Sequence, residues 1–333
     1  MAQIRDVAKR AGVSPATVSR AFSDPKKLSR DTLKRVLKAA EDLNYKPSSL
    51  AQVFRVKRTN AVLVLVPDIA NVLFARILSG IERVAAENSY YLLVSDTKDD
   101  ADIERAGLEM VETRRVDGVI QLGERRLDEL LPEAAAAGTP FVQATQPDGA
   151  PDYPVVMIDN FSAAEAMASY LLTLGHRRIG VLAGLKDRHV TQERLRGFHA
   201  ALSQFDIDPA AVTIEYGPYS MAGGAQSAMR LLSRNRNITA LFAMSDEIAI
   251  GAIRAAQDLG MRLPEDVSVT GFDNIEFGKY CTPPLTTVMQ PAERIGEMAM
   301  TMMGNLLRGD ITGGPHQVLG TELVIRSSAR RLS

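Results

Sequence analysis

Apolar positions recur at helical spacing through the first 45 residues. Ile4, Val7, Ala8 and Ala11 fall on one face, and Gly12 is a natural helix stop. Ser14-Pro15 then restarts a helix, because serine is a favoured N-cap and proline is tolerated in the first turn. Val18 and Ala21 supply its inward face and Asp24-Pro25 ends it. A third helix, from about Arg30 to Leu43, carries Leu33, Val36, Leu37, Ala40 and Leu43 on one stripe. Two helices around a tight Gly-Val-Ser turn form the pattern of a helix-turn-helix.

From Ala61 the texture changes to short aliphatic strands alternating with helices of about a dozen residues, which predicts an α/β fold built on parallel sheets. Strands are expected at Ala61–Val66, Tyr91–Ser95, Gly118–Leu122, Phe141–Ala144 and Val155–Ile158. A second set follows at Ile179–Ala183, Ile214–Tyr216, Ala240–Met244 and Ser268–Phe272. Between them lie helical stretches such as Phe74–Glu87, Ala163–Leu174, Gln192–Gln204, Ala222–Ser233 and Glu247–Leu259. The sheets divide near Asp159–Phe161. A late helix, Ala292–Leu307, follows the segment Thr286–Gln290, and Glu322–Ile325 is a last strand. Chain left over after the second sheet implies that several segments cross between the two halves.

Net charge changes this picture. The 333 residues carry 39 Lys and Arg against 40 Asp and Glu, a near-neutral total. Residues 1–60, however, hold 14 basic and 5 acidic side chains, so a cationic head precedes an anionic body. That asymmetry points to a polyanion-binding module joined to a part that repels polyanions. The single cysteine, Cys281, allows no internal disulfide and fits a reducing compartment. The longest aliphatic run, Ala61–Val66, is far below the roughly 20 residues of a membrane span. Arg5, Asp6, Lys9 and Arg10 break any signal-peptide core. The chain therefore reads as cytoplasmic, with no membrane partner.

Specific motifs run along the whole chain. Ile4-Arg-Asp-Val-Ala-Lys-Arg-Ala-Gly-Val-Ser-Pro-Ala-Thr-Val-Ser-Arg20 resembles the DNA-binding head of the lactose-repressor (LacI/GalR) family. Leu43-Asn-Tyr-Lys-Pro47, Val116-Asp-Gly118, Leu174-Gly-His-Arg-Arg-Ile-Gly180, Arg194-Leu-Arg-Gly-Phe198, Gly271-Phe-Asp-Asn274 and Pro283-Pro-Leu-Thr-Thr287 extend the resemblance. Asp68-Ile69 and the stretch Phe272 to Thr287 are most similar to the cytidine-type regulators within that family. The resemblance implies an all-α helix-turn-helix head (1–46), a hinge helix or linker (47–59) and a two-lobed, periplasmic-binding-protein-like effector-binding and dimerisation core (60–333). Lobe 1 would comprise about 60–159 and 290–318, and lobe 2 about 160–289 and 319–330. It also implies a homodimer on a near-palindromic duplex operator.

The helix opened by Ser14-Pro15 is the expected recognition helix, with Pro15, Ala16, Ser19 and Arg20 outward. Arg20 can bond guanine bidentately, Ala16 offers only a methyl group, and Ser14, Thr17 and Ser19 suit phosphates. Pro15-Ala16 lacks hydrogen-bonding groups where the family often reads bases, which leaves more to Arg20, to DNA shape or to the hinge. By the same resemblance Ala51, Phe54 and Arg55 fall on the hinge helix. Phe54 stands where the family usually wedges leucine into the minor groove.

In two-lobed α/β folds ligands sit at the carboxyl ends of the strands. Asp68, Asp159, Asp246 and Asp273 follow strands here, and Arg188, His189, Gln192 and Arg194 follow Ala183-Gly184. Phe74 and Tyr219 can face a ring. Carried over by resemblance, Phe74, Asp159, Arg188, Arg194, Tyr219, Asp246 and Asp273 match effector-contact positions, with Gln192 added from the same helix. Carboxylates and guanidinium forks suit a polyol, so a sugar or glycoside is the expected effector, with a nucleoside as the alternative. A phosphorylated ligand would want a net positive cleft.

Two rivals remain. An enzyme lacks support, since there is no GxSxG elbow, Walker A loop or GxGxxG after the first strand. The four histidines have no metal-ligand spacing, so neither metal nor cofactor is expected. A secreted solute receptor with the same core should carry a signal peptide and no basic head. A regulator of DNA accounts for every part of the sequence.

Overall fold

Three short helices close the head over a small aliphatic core. Helix α1 (Ile4–Ala11) opens with a reciprocal cap in which the Gln3 amide donates to Asp6 Oδ2 at 2.7 Å. It ends at Gly12, whose φ of 64° is the left-handed conformation that glycine adopts without penalty. Helix α2 (Pro15–Ser23) and helix α3 (Arg30–Asp42, capped by Ser29) follow. Val7, Ala8, Ala11, Val18, Ala21, Val36, Ala39 and Ala40 bury against one another.

The computed structural model describes residues 2–23, 25–45, 58–147, 149, 151–311 and 314–332. The expected hinge, including Ala51, Phe54 and Arg55, lies outside the described residues. The chain divides into two compact units, residues 1–59 and 60–333.

The second unit contains the two expected sheets. The first has the order β11-β5-β4-β3-β1-β2, all parallel. Its strands are β1 (Ala61–Val66), β2 (Tyr91–Asp96), β3 (Gly118–Gln121), β4 (Phe141–Gln143), β5 (Val155–Ile158) and β11 (His316–Leu319). Helices α4 (Val72–Glu87), α5 (Ala101–Glu112), α6 (Leu127–Leu130), α7 (Pro132–Ala136) and α12 (Ala292–Arg308) belong to this lobe. Helices α4 and α12 cross at two glycines: a Cβ at Gly80 would stand 2.0 Å from the Glu293 carbonyl oxygen, and one at Gly296 2.0 Å from that of Ile77.

The second sheet has the order β7-β6-β8-β9, again parallel, from β6 (Ile179–Ala183), β7 (Thr213–Tyr216), β8 (Ala240–Ala243) and β9 (Ser268–Thr270). Its helices are α8 (Asn160–Thr173), α9 (His189–Gln204), α10 (Met221–Arg234) and α11 (Asp246–Asp258). An antiparallel pair, β10 (Thr287–Met289) with β12 (Glu322–Val324), continues from β9 through single bridges at Thr270–Thr286 and Asp273–Met289. The chain passes between the lobes at 158–160, 289–292 and 319–322.

The expected strand positions hold to within two residues at either end. Helices start earlier than the apolar stripe suggests, α8 at Asn160 rather than Ala163 and α9 at His189 rather than Gln192. The first turn of α8 follows β5 directly and brings Asn160 to the cleft, and the first turn of α9 brings Val190 there. Strand β11 goes unforeseen because its sequence, His-Gln-Val-Leu, is half exposed at a sheet edge.

Candidate functional site

Helix α2 presents its outward face from a fixed start. The Ser14 hydroxyl accepts from Thr17 N at 3.2 Å and lies 3.0 Å from Thr17 Oγ1, so Ser14 caps the helix. Val18 and Ala21 are buried in the head. Ser14, Pro15, Ala16 and Arg20 are exposed, and Thr17 and Ser19 are half-buried. The arrangement leaves one long guanidinium fork and a short, smooth helix start to meet a groove.

The second site is a cavity of about 400 Å³ between the two lobes of the 60–333 unit, a size ordinary for a small-molecule site. Of the expected effector residues, Phe74, Arg188, Arg194, Tyr219 and Asp273 line it. Arg194 forms its back wall and is 4% exposed. Its Nε donates to Asn160 Oδ1 at 2.9 Å, Nη1 donates to the Met244 carbonyl, and its Cζ lies 3.6 Å from the centre of the Phe272 ring. Asn160 Nδ2 donates in turn to Gln146 Oε1 at 2.8 Å, tying lobe 2 to the end of β4 in lobe 1.

Asp273 sits on strained backbone, with φ of 120°. Its amide donates to the Val288 carbonyl at 2.8 Å, and its Oδ1 accepts from Gln290 Nε2 at 2.6 Å. Burial pushes its carboxyl up to about 7, against the pull of the Arg194 guanidinium. Tyr219 lies across Gly184, where any Cβ would meet the ring at 1.9 Å, and its hydroxyl is 2.9 Å from Thr191 Oγ1.

Three expected effector residues lie outside the cavity lining. Asp159 is exposed and caps α8, accepting from Ser162 N at 2.9 Å and Ser162 Oγ at 2.6 Å; its strand-end position orients the helix, and the next residue, Asn160, turns inward instead. Gln192 is exposed, its Nε2 donating to the Lys186 carbonyl at 3.5 Å, because it falls one turn into α9 on the outer face. Asp246 is fully buried beneath the site, accepting from Ile275 N at 2.8 Å and from Thr287 Oγ1. Burial first and the Asp273 charge second hold its carboxyl well above the usual range. Asp246 thus braces the Asp273 turn.

The cavity also gathers polar residues that the sequence reading did not single out: Asn71, Lys98, Asp99, Glu124, Gln146, Asn160, Ser220 and Gln290. Glu124 follows β3 just as Asp273 follows β9, so extending the strand-end argument from Asp to every polar residue finds it. Much of the remaining lining is apolar, including Leu73, Ile77, Leu122, Val190 and Ile295. Among the described residues no cluster of three His, Cys, Asp or Glu could hold a metal ion, and no helix is long and apolar enough to cross a membrane.

Comparisons with known proteins agree with this geometry. Residues 3–48 match the profile of the bacterial regulatory proteins of the lacI family, and residues 168–329 match a periplasmic binding protein-like domain. The HTH-type transcriptional repressor CytR of Escherichia coli (strain K12) is 36% identical over 331 residues, covering 99% of this chain and 97% of that protein. Among solved structures, the lac repressor dimer bound to operator and the anti-inducer ONPF aligns over 99% of both chains, with 27% identity and a TM-score of 0.87. A LacI family regulator from Enterococcus faecium with bound ribose covers 82% of this chain and all of its own, with 26% identity and a TM-score of 0.75.

Proposed function

Because the chain belongs to the lacI family of bacterial regulatory proteins, we propose that it is an operator-binding repressor controlled by a sugar-bearing small molecule held between the lobes of its core. The observation that carries this reading is that Arg194 and Asp273 share the cavity lining with the amide side chains of Gln146, Asn160 and Gln290. Such a set both donates to and accepts from hydroxyl groups, as a polyol requires. Phe74, Tyr219 and the aliphatic wall favour, within that class, a ligand with a flat apolar part, such as a nucleoside or an aryl glycoside, over a bare sugar. The resemblance to cytidine-type regulators supports the nucleoside.

Ligand contacts come from both lobes, so binding biases the angle between them about the three crossing segments. In a dimer this angle sets the spacing of the two heads on DNA. Effector and operator then share one coupling free energy, and each alters the other's affinity by the same factor. A homodimer is consistent with the exposed apolar residues Tyr91, Leu93 and Val94 on edge strand β2 and Phe277 and Tyr280 beyond β9. On DNA, α2 enters the major groove with Arg20 on base edges and Ser14, Thr17 and Ser19 on phosphates, in the cytoplasm where operators lie.

A thermal-shift screen of sugars, aryl glycosides and nucleosides identifies the ligand, since one that prefers the native state raises the melting temperature. Arg194→Ala is expected to abolish that shift while ligand-free operator binding in a gel-shift assay persists. A variant that still responds normally places the effector elsewhere.

A further inference from the structure

Helix α9 begins without a cap of its own. Its N-cap position is Arg188, which has only donors to offer, and no side-chain cap bond arises there. The acceptor arrives from the opposite lobe: Glu124, just beyond β3, accepts from His189 N at 2.9 Å and from Val190 N at 3.2 Å, one bond to each oxygen. Burial raises its carboxyl, and the two amide bonds oppose that rise. Arg188 is turned aside to pair with Asp99 at 2.8 Å. Glu124, Arg188, Asp99 and Val190 all line the cavity.

A helix start that opens into a cleft is ordinarily an anion site, because its amides point at the ligand and the dipole favours negative charge. Here the chain fills that position itself. The cationic side chains of the lining are engaged in the same way. Lys98 lies 2.6 Å from Asp96 and 3.4 Å from Asp68, Arg188 is on Asp99, and Arg194 directs Nε to Asn160 and Nη1 to the Met244 carbonyl.

We propose that Glu124 determines specificity, a carboxylate tethered at the anion position of the cleft, so that the site takes uncharged ligands and rejects their phosphorylated or carboxylated counterparts. This rests on the cleft being the effector site and names the charge class it accepts. A free phosphate entering the cleft would meet the Glu124 carboxylate where it needs amides. Removing the Glu124 side chain vacates two amide donors beside Arg188, and replacing its carboxylate with an amide vacates one, so the same place becomes an anion site.

The test uses full-length protein with inorganic phosphate as probe and sodium chloride at matched ionic strength as control. Melting temperature is followed for wild type, Glu124→Gln and Glu124→Ala. Wild type is expected to respond to phosphate no more than to chloride. The variants are expected to show a saturable rise, with phosphate binding at least tenfold tighter than in wild type. Glu124→Gln keeps a carbonyl acceptor for one amide and covers the case in which the alanine variant does not fold. Equal responses in wild type and variants, whether large or absent, overturn the proposal. A wild type that answers no sugar or nucleoside, alongside variants that gain phosphate, removes the proposed ligand class and leaves the role of Glu124 standing.

Discussion

Asp273 joins three properties in one residue: a positive φ, burial, and a place in the cavity wall. Its carboxyl rises on folding from 3.8 to about 7, so the native state binds the proton more tightly than the unfolded chain. Stability from this group is therefore full below about pH 4 and is lost as pH climbs to 7. Asp273→Asn is expected to gain stability relative to wild type across that window, by an amount on the order of a few kcal/mol, and to run level with a constant offset above it. Urea denaturation at a series of pH values reads this directly, and parallel curves from pH 4 to 7 would count against it. The difference belongs to the Asp246–Asp273 pair together, since the Asp273 charge raises the Asp246 carboxyl. His176, whose imidazole is pushed down by burial between Thr239 and the Arg330 carbonyl, titrates in both proteins and cancels. At the head, Arg20→Ala should cost roughly 1–3 kcal/mol of operator affinity and relax discrimination at one base pair per half-site, while nonspecific binding falls far less. Gel shifts on single-base operator variants separate the two. The strand-end rule pointed to Asp273, and the matched Arg194-Leu-Arg-Gly-Phe198 motif on the following helix pointed to Arg194; both line the cavity. The same rule misplaced Asp159 and Asp246, because a residue at a helix start can turn outward as a cap or downward as a brace, and only the helix rotation decides.

Elements were legible wherever an apolar run met a turn signal, as in β1 and β6, whose bounds match the aliphatic stretches residue for residue. They were less legible where polar residues start a helix for the sake of the cleft. The first turn of α9, His189 to Gln192, has no outward sign of being helical, since its cap is supplied by Glu124 from sequence far away. Glycine spacing carries a further element-scale message. Gly80 and Gly296 let α4 and α12 approach until backbone meets backbone, so Gly80→Ala must push Glu293 aside. A calorimetric scan should show destabilisation of about 1–3 kcal/mol, the usual cost of overpacking a tight contact. No loss would mean the two helices slide freely, and lobe 1 would then be a poor lever.

At the scale of the whole molecule, the division of charge matters more than its sum. Residues 1–60 carry 14 basic and 5 acidic side chains on a chain whose totals are 39 and 40, so the core is net acidic and is repelled by the duplex that attracts the head. Operator affinity should therefore fall steeply with salt, about 10³- to 10⁵-fold between 50 and 200 mM if six to ten phosphates are neutralised. Ligand affinity in the absence of DNA should barely move over the same range, because an uncharged ligand brings no charge for salt to screen. The coupling between sites is a ratio of two operator affinities, so most of the salt dependence divides out of it. Gel-shift titrations at several salt concentrations, with and without the ligand found by thermal shift, should give parallel lines of log affinity against log salt. Lines that converge would mean that the ligand changes how many phosphates the heads reach, so that it acts by detaching part of the DNA contact rather than by resetting the angle at which an intact contact forms.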